Sequence, residues 1–248
     1  METFLTIFFF ALGAIVASFV TVVAERVYTG HSWSRGRSRC DACNVMLSSR
    51  DLVPVLSWVL HQGRCRHCGA KVAPHSTLAE VILGATFASL YGVFGLTPPL
   101  VLFLVFVSLL LFAVLYDLRH TLIPNEVSIL LVCVGVLYAF IFSPTTQQLG
   151  ASLLIAGVIS LGFFLLHFLS RGRAMGLADA PIAFALSLMT HPYAFGGLLW
   201  SFWIGAGVGI LLLVMKRKGL TMKSEVPFVP FMALGFLLAF FLQWNPLL

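Results

Sequence analysis

The sequence predicts an all-α polytopic membrane protein of about eight transmembrane helices, with a small cytoplasmic zinc-ribbon-like insertion between the first two. Three observations carry that expectation. Of 248 residues, 60% are apolar and only 10% are charged, where soluble domains average about 45–50% and about 25%. Apolar runs long enough to approach the roughly 20 residues that a bilayer core demands recur along the whole chain. Four cysteines stand in two Cys-x-x-Cys pairs within the one long polar segment. The scarcity of charge, with 23 Phe, excludes a disordered or nucleic-acid-coating protein despite a net charge of +6. The lipid bilayer is the expected partner, and no nucleic acid.

In chain order, the apolar runs cover residues 4–24, 77–94, 99–116, 127–142, 149–169, 196–215 and 226–244. An eighth, 180–195, is weaker, because His191-Pro192 interrupts it and its uninterrupted part is short for a hydrocarbon layer of about 30 Å. Charge parity decides in its favour. With eight spans, the alternate loops 25–76, 117–126, 170–179 and 216–225 hold all fifteen Lys and Arg, from Arg26, Arg35 and Arg37 in the first to Lys216, Arg217, Lys218 and Lys223 in the last. Cytoplasmic loops collect Lys and Arg, so the Cys-rich loop is expected in the cytoplasm and both termini outside. The first run has Glu2 before it and Arg26 after it, the reverse of a cleaved signal peptide, and reads as a retained span. The expected organisation is a first transmembrane helix (1–24), a cytoplasmic four-cysteine zinc-binding loop domain (25–76) and a seven-helix membrane core (77–248).

Within the insertion, Cys40-Asp41-Ala42-Cys43 and Cys65-Arg66-His67-Cys68-Gly69 form two knuckles separated by 21 residues, just outside the usual spacing of about 15–20. Each knuckle presents two thiolates from a tight turn. Four thiolates make a closed tetrahedral site for structural zinc, and zinc supplies the folding energy that a segment poor in apolar residues lacks. A reducing cytoplasm disfavours the alternative of two disulfides. His67 could replace a thiolate, and Cys133, in an apolar run, reads as a small buried residue.

Carboxylates in or beside apolar spans are costly and therefore informative. Glu80, Asp117, Glu126 and Asp179 flank spans on the basic side. Thr77-Leu78-Ala79-Glu80 has the form of a capping box, and Asn125-Glu126 after Pro124 that of a helix start. Asp117 ends an apolar run, whereas Asp179 lies in Gly176-Leu177-Ala178-Asp179-Ala180-Pro181, where a helix begins. Two carboxyls at opposite helix ends sit in different fields, so one can hold a proton while the other activates a water, as in an aspartic-protease dyad. For Asp179 the plainer alternative is an N-cap.

At these residues the chain resembles the bacterial type IV prepilin peptidases, polytopic aspartic proteases of the GxGD type. The resemblance runs nearly end to end. It is carried by Ala17-Ser18-Phe19 with Arg26, by Arg37-Ser38-Arg39-Cys40, by Asp51-Leu52-Val53-Pro54-Val55-Leu56-Ser57-Trp58 and by Gly63-Arg64-Cys65-Arg66-His67-Cys68. It continues in Leu78-Ala79-Glu80, in Asp117-Leu118-Arg119 with Ile123-Pro124-Asn125, and in Val226-Pro227-Phe228-Val229-Pro230-Phe231. The pattern departs at the second aspartate. The family has Gly-x-Gly-Asp, usually with Lys two residues later, and here Ala178 precedes Asp179 while Pro181 stands at the Lys position.

The resemblance implies catalytic Asp117 and Asp179 and a structural zinc on Cys40, Cys43, Cys65 and Cys68. It implies a location in the bacterial inner membrane and, as substrates, prepilins or type II secretion pseudopilins that are themselves membrane helices. Cleavage would follow the Gly that ends a basic leader, at the cytoplasmic face. Bifunctional members also methylate the new N-terminus from S-adenosylmethionine, which here rests on the resemblance, since no glycine-rich nucleotide fingerprint is present. Two other classes compete: a catalytically inert zinc-ribbon membrane scaffold, which would not need the aspartate pair, and a proton-coupled transporter, which would not need the cysteines.

Overall fold

The computed structural model describes residues 2–29, 38–40, 42–173, 175–215 and 227–246. The expectations placed on Arg35, Arg37, Lys216, Arg217, Lys218, Lys223 and Val226 lie outside the described residues. Among the described residues the named elements are all helices: α1 (Glu2–Thr29), a 3-10 turn (Ser49–Leu52), α2 (Leu56–Leu60), α3 (His75–Phe94), α4 (Pro98–His120), α5 (Asn125–Phe142), α6 (Thr146–Leu169), α7 (Asp179–Thr190), α8 (Ala194–Val214) and α9 (Val229–Phe241). Among the described residues six helices, α1, α3, α4, α5, α6 and α8, are long and apolar enough to cross a membrane, while α7 and α9 are shorter apolar helices. Phe4, Leu154, Val158, Phe168 and Leu211 are exposed on helix surfaces, an arrangement that suits lipid as solvent. The chain divides into two compact units, Met1–Phe112 and Ala113–Leu248.

In the first unit α1 and α3 pack side by side, and glycine sets how closely. A Cβ on Gly13 would lie 2.7 Å from the Leu83 carbonyl oxygen, and one on Gly84 2.8 Å from that of Phe10. Only glycine allows backbones this near, the small-residue packing of membrane helices. Phe9 stacks on Tyr91 beside the crossing, with ring centroids 4.9 Å apart.

Glu80 departs from its expected role. Helix α3 begins at His75 after Pro74, and Glu80, buried one turn further in, caps nothing. Its Oε2 instead accepts the Val55 N–H at 2.8 Å. Val55 has φ 61 and ψ −51, and Leu56 N–H donates to the Pro54 carbonyl at 2.6 Å across it. This is a γ-turn of the strained hand, held by a carboxylate from a helix 25 residues away.

The second unit is built around α7. This helix was the weakest of the eight expected spans, yet it is the most enclosed: ten of its twelve residues are buried, and α5, α6, α8 and α9 all pack on it. Protein surrounds it, so it need not span a lipid layer with its own length. Helices α8 and α9 cross through glycine, since a Cβ on Gly197 would meet the Phe236 ring at 2.7 Å. At one end of this pair Trp244 packs edge-on against Trp200 and also meets Trp203, and the Asn245 side chain donates to the Pro192 carbonyl at 2.8 Å.

Candidate active site and metal centre

The two cysteine pairs fold alike. Cys40 N–H donates to the Val45 carbonyl at 3.0 Å and Asn44 N–H returns to the Cys40 carbonyl at 2.8 Å; Cys65 donates to Ala70 at 2.8 Å and Gly69 to Cys65 at 2.9 Å. Both turns need a residue with positive φ at the same place, filled by Asn44 (φ 57) and Gly69 (φ 71), the residue types that adopt it readily. Antiparallel bridges, Arg39 with Met46 and Arg64 with Lys71, close the two loops.

The turns aim all four sulfurs inward. Sγ of Cys40, Cys43, Cys65 and Cys68 lie within 4.8 Å of one another, and Cys40 and Cys68 are 3.9 Å apart. A tetrahedron of Zn–S bonds of about 2.3 Å has S···S edges of about 3.8 Å, so the spacing fits a metal and is too wide for a disulfide. The N–H groups of Cys68 and His67 point at the Cys65 sulfur and hold its thiol down to about 6, so a thiolate is present near neutral pH. His67 contributes this backbone N–H and is not one of the four ligand-forming residues. Four cysteines can therefore bind a metal ion.

The second unit brings the two aspartates together. Asp117, in the last turn of α4, is 6% exposed, and its Oδ2 accepts the Val229 N–H at 3.2 Å. That donor is the first residue of α9, whose Phe228 N-cap and Pro230 fix where the helix begins. The Pro-Phe motif thus presents a helix N-terminus to a buried carboxylate. Sequence reading marked this motif only as a resemblance and missed its role, because the hydrogen bond joins residues 112 apart.

Asp179 is also 6% exposed. It is the first residue of α7, with Ala178 as N-cap, so the expectation of a plain N-cap is not met. Its Oδ2 reaches back to the Gly176 N–H at 3.0 Å. Asp117 and His167 both act on it electrostatically. His167 was not singled out from the sequence. It lies in the last turn of α6, and its Nδ1 is 2.8 Å from the Met175 carbonyl; a carbonyl only accepts, so Nδ1 carries the proton and the ring is fixed. A lone His in the last turn of an apolar helix was the available signal.

The altered motif is locally unstrained. Ala178 has φ −68 and ψ −17, a right-handed helical conformation that requires no glycine. Pro181 falls in the first turn of α7, where a missing N–H costs no helical bond. Neither departure strains the start of α7.

Two family descriptions match in succession. Residues 11–94 match the bacterial peptidase A24 N-terminal domain, and residues 104–210 match the type IV leader peptidase family. The chain belongs to the type IV leader peptidase family. It is similar to the prepilin leader peptidase/N-methyltransferase of Myxococcus xanthus, at 33% identity over 86% of this chain and 64% of the relative, so it spans somewhat less than two thirds of that protein. The prepilin leader peptidase/N-methyltransferase of Bacillus subtilis is 29% identical over 93% of this chain and 92% of its own. A type 4 prepilin-like proteins leader peptide-processing enzyme of Escherichia coli is 26% identical over 84% of this chain and 76% of its own. No solved structure matches. These relatives, with the apolar helices, make the chain a bacterial membrane protein.

Proposed function

We propose that this protein is a membrane aspartic endopeptidase that removes the basic leader from type IV prepilins or pseudopilins. The observation that carries the reading is the pair of buried carboxylates, Asp117 and Asp179, each anchored by one backbone N–H and both within one compact unit. Their chemistry is that of a carboxyl pair sharing a proton. The ionised member takes a proton from water as the oxygen attacks the scissile carbonyl; the protonated member gives its proton to the developing oxyanion. Collapse of the tetrahedral species then breaks the C–N bond, and the amine leaves with a proton returned by the pair.

Cleavage after a leader Gly at the cytoplasmic face, eight spans with external termini, and domains at 1–24, 25–76 and 77–248 complete the proposal. The one-sided distribution of Lys and Arg supports the orientation. Zinc is the metal proposed for Cys40, Cys43, Cys65 and Cys68, where it would hold the insertion together. Methylation of the new N-terminus from S-adenosylmethionine is proposed from the names of the relatives.

Purified enzyme and a full-length prepilin in detergent provide the test. Mass spectrometry should find a new N-terminus immediately after the leader Gly, heavier by one methyl group when S-adenosylmethionine is supplied. An intact prepilin refutes the peptidase, and an unmethylated product refutes only the second activity. Reporter fusions at Gln147 and Lys218 should report opposite sides; a shared side removes the eighth span.

A further inference from the structure

A groove of about 710 Å³ opens between α5, α6 and α7, with Ser128, Gly157, Ser160, Ala178, Ala180 and Pro181 in its wall. That volume is in the range of about 300–1,000 Å³ typical of ligand sites, enough for a short peptide stretch and too little for a whole helix. Ala178 and Ala180 flank Asp179 in the chain, so the wall includes both chain neighbours of the candidate carboxylate.

Ser128 gives the groove its chemistry. It is 5% exposed, and its Oγ has no hydrogen-bond partner among the described residues. Several other helical hydroxyls return to the carbonyl four residues back, as in Thr21 to Ala17, Ser108 to Leu104 and Ser187 to Ala183. For Ser128 that residue is Pro124, whose carbonyl already accepts the N–H groups of Val127 and Ser128. Across the groove the Ser160 hydroxyl is committed to the Ala180 carbonyl at 2.9 Å. A buried hydroxyl left without a partner is costly, and this residue lines a groove whose wall includes both chain neighbours of Asp179.

We infer that the groove is the subsite for the apolar stretch of substrate next to the scissile bond, with Ser128 as the hydrogen-bonding group for its backbone. The inference rests on the peptidase reading and deepens it. A membrane helix must unwind before its peptide bond can be attacked, and unwinding strands N–H and C=O groups that lipid cannot satisfy. Ser128 supplies a donor or an acceptor to one of them. Gly157, Ala178 and Ala180 let a backbone approach closely, as small residues do between membrane helices. Leu161, Phe164 and Phe184 add apolar wall beside the polar Asn125, which suits the side chains of a substrate helix. Ser128 is thus a positioning residue: it holds the unwound peptide against Asp179 and takes no part in proton transfer.

The test uses the whole enzyme with a full-length prepilin and measures kcat and KM together with the melting temperature. Ser128→Ala should lower kcat/KM about 3- to 10-fold, the value of one hydrogen bond, without lowering the melting temperature, because no internal bond is lost. Ser128→Thr should restore activity. Gly157→Leu fills the groove and should raise KM by at least about tenfold, the value of blocking one such contact site. A photo-crosslinking amino acid at Leu161 in the Asp179→Asn enzyme should capture prepilin at residues just after the leader Gly, and the same probe at lipid-facing Leu154 should not. Wild-type cleavage with Ser128→Ala and Gly157→Leu both unchanged overturns the groove and leaves the peptidase standing, as does equal capture at Leu161 and Leu154. A Ser128→Ala variant that loses activity only by melting earlier also overturns it. A wild type that cannot cleave prepilin overturns the peptidase reading and the groove together.

Discussion

Replacing Asp179 by Asn separates a catalytic carboxylate from a local anchor. The structure gives Asp179 an anchoring role in any case, since its Oδ2 accepts the Gly176 N–H at 3.0 Å. The amide oxygen of Asn can accept the same N–H. What is lost is the difference between a hydrogen bond to a charged group, about 1.5–3 kcal/mol, and a neutral one, about 0.5–1.5, so about 1 kcal/mol. Removing a buried negative charge beside Asp117 offsets part of that. For a chain of this size about 1 kcal/mol moves the melting temperature by about 2–4 °C. Catalysis should respond on another scale, because a positioned acid or base contributes about 10²–10⁴-fold. Asp179→Asn should therefore keep its fold and its metal while cleavage of a prepilin falls at least about 100-fold. Asp117→Asn, which can still accept from Val229, should behave the same way, and the double variant should be no worse than either single, as expected of groups that act as a unit. The assay is single-turnover cleavage followed by gel or mass spectrometry, with thermal melting on the same preparations. If Asp179 only anchors the loop, Asn will serve nearly as well and Ala will not. An Asp179→Asn enzyme within about tenfold of wild type refutes the dyad.

Two further outcomes follow from the first unit. Cys65→Ser should take the metal content from one zinc per chain to well below that, and should make the segment around residues 38–72 protease-sensitive before the apolar helices melt, because structural metal energy is folding energy; unchanged zinc by elemental analysis refutes the site. Glu80→Ala should destabilise the enzyme by about 1–3 kcal/mol, since the Val55 N–H loses its acceptor, whereas Glu80→Gln should recover most of it; equal melting of Glu80→Ala and wild type removes the γ-turn anchor.

Where the sequence was informative, local chemistry was the reason. Cys-x-x-Cys turns close through bonds between residues near in the chain, so the metal cluster could be expected before any long-range geometry was known. The long apolar runs stand out for the same reason, each being a helix of its own. Glu80 failed because the Thr77-x-x-Glu80 spacing is genuine capping grammar, but tertiary packing starts α3 earlier, at His75, and commits the carboxylate to Val55. Val229 and His167 were illegible for a related cause: each matters through a partner brought by folding, and nothing in an apolar Val or a lone His records that partner. The burial of α7 was read backwards, as a weakness of the span, because a hydropathy pattern cannot tell a helix enclosed by protein from one too short for lipid.

The two short helices explain how acids come to lie within an apolar protein. At about 1.5 Å per residue, the 12 residues of α7 and 13 of α9 are about 18–20 Å long, roughly 10 Å less than the hydrocarbon layer of about 30 Å. Their C-terminal ends are tied at one level, where Asn245 bonds Pro192 and Trp244 meets Trp200 and Trp203, the aromatic grouping typical of a membrane boundary. On the proposed topology that boundary is the outer one, so the N-termini of α7 and α9 fall about 10 Å inside the cytoplasmic boundary. Asp179 starts one of these helices, and the N–H that starts the other binds Asp117. Non-helical backbone at such depth is tolerated where protein encloses it or water reaches it, and a hydrolase needs that water. The shortness of α7 and α9 therefore sets the depth at which a substrate helix would meet the carboxylates, near the cytoplasmic end of its apolar stretch, where a basic leader gives way to the membrane segment.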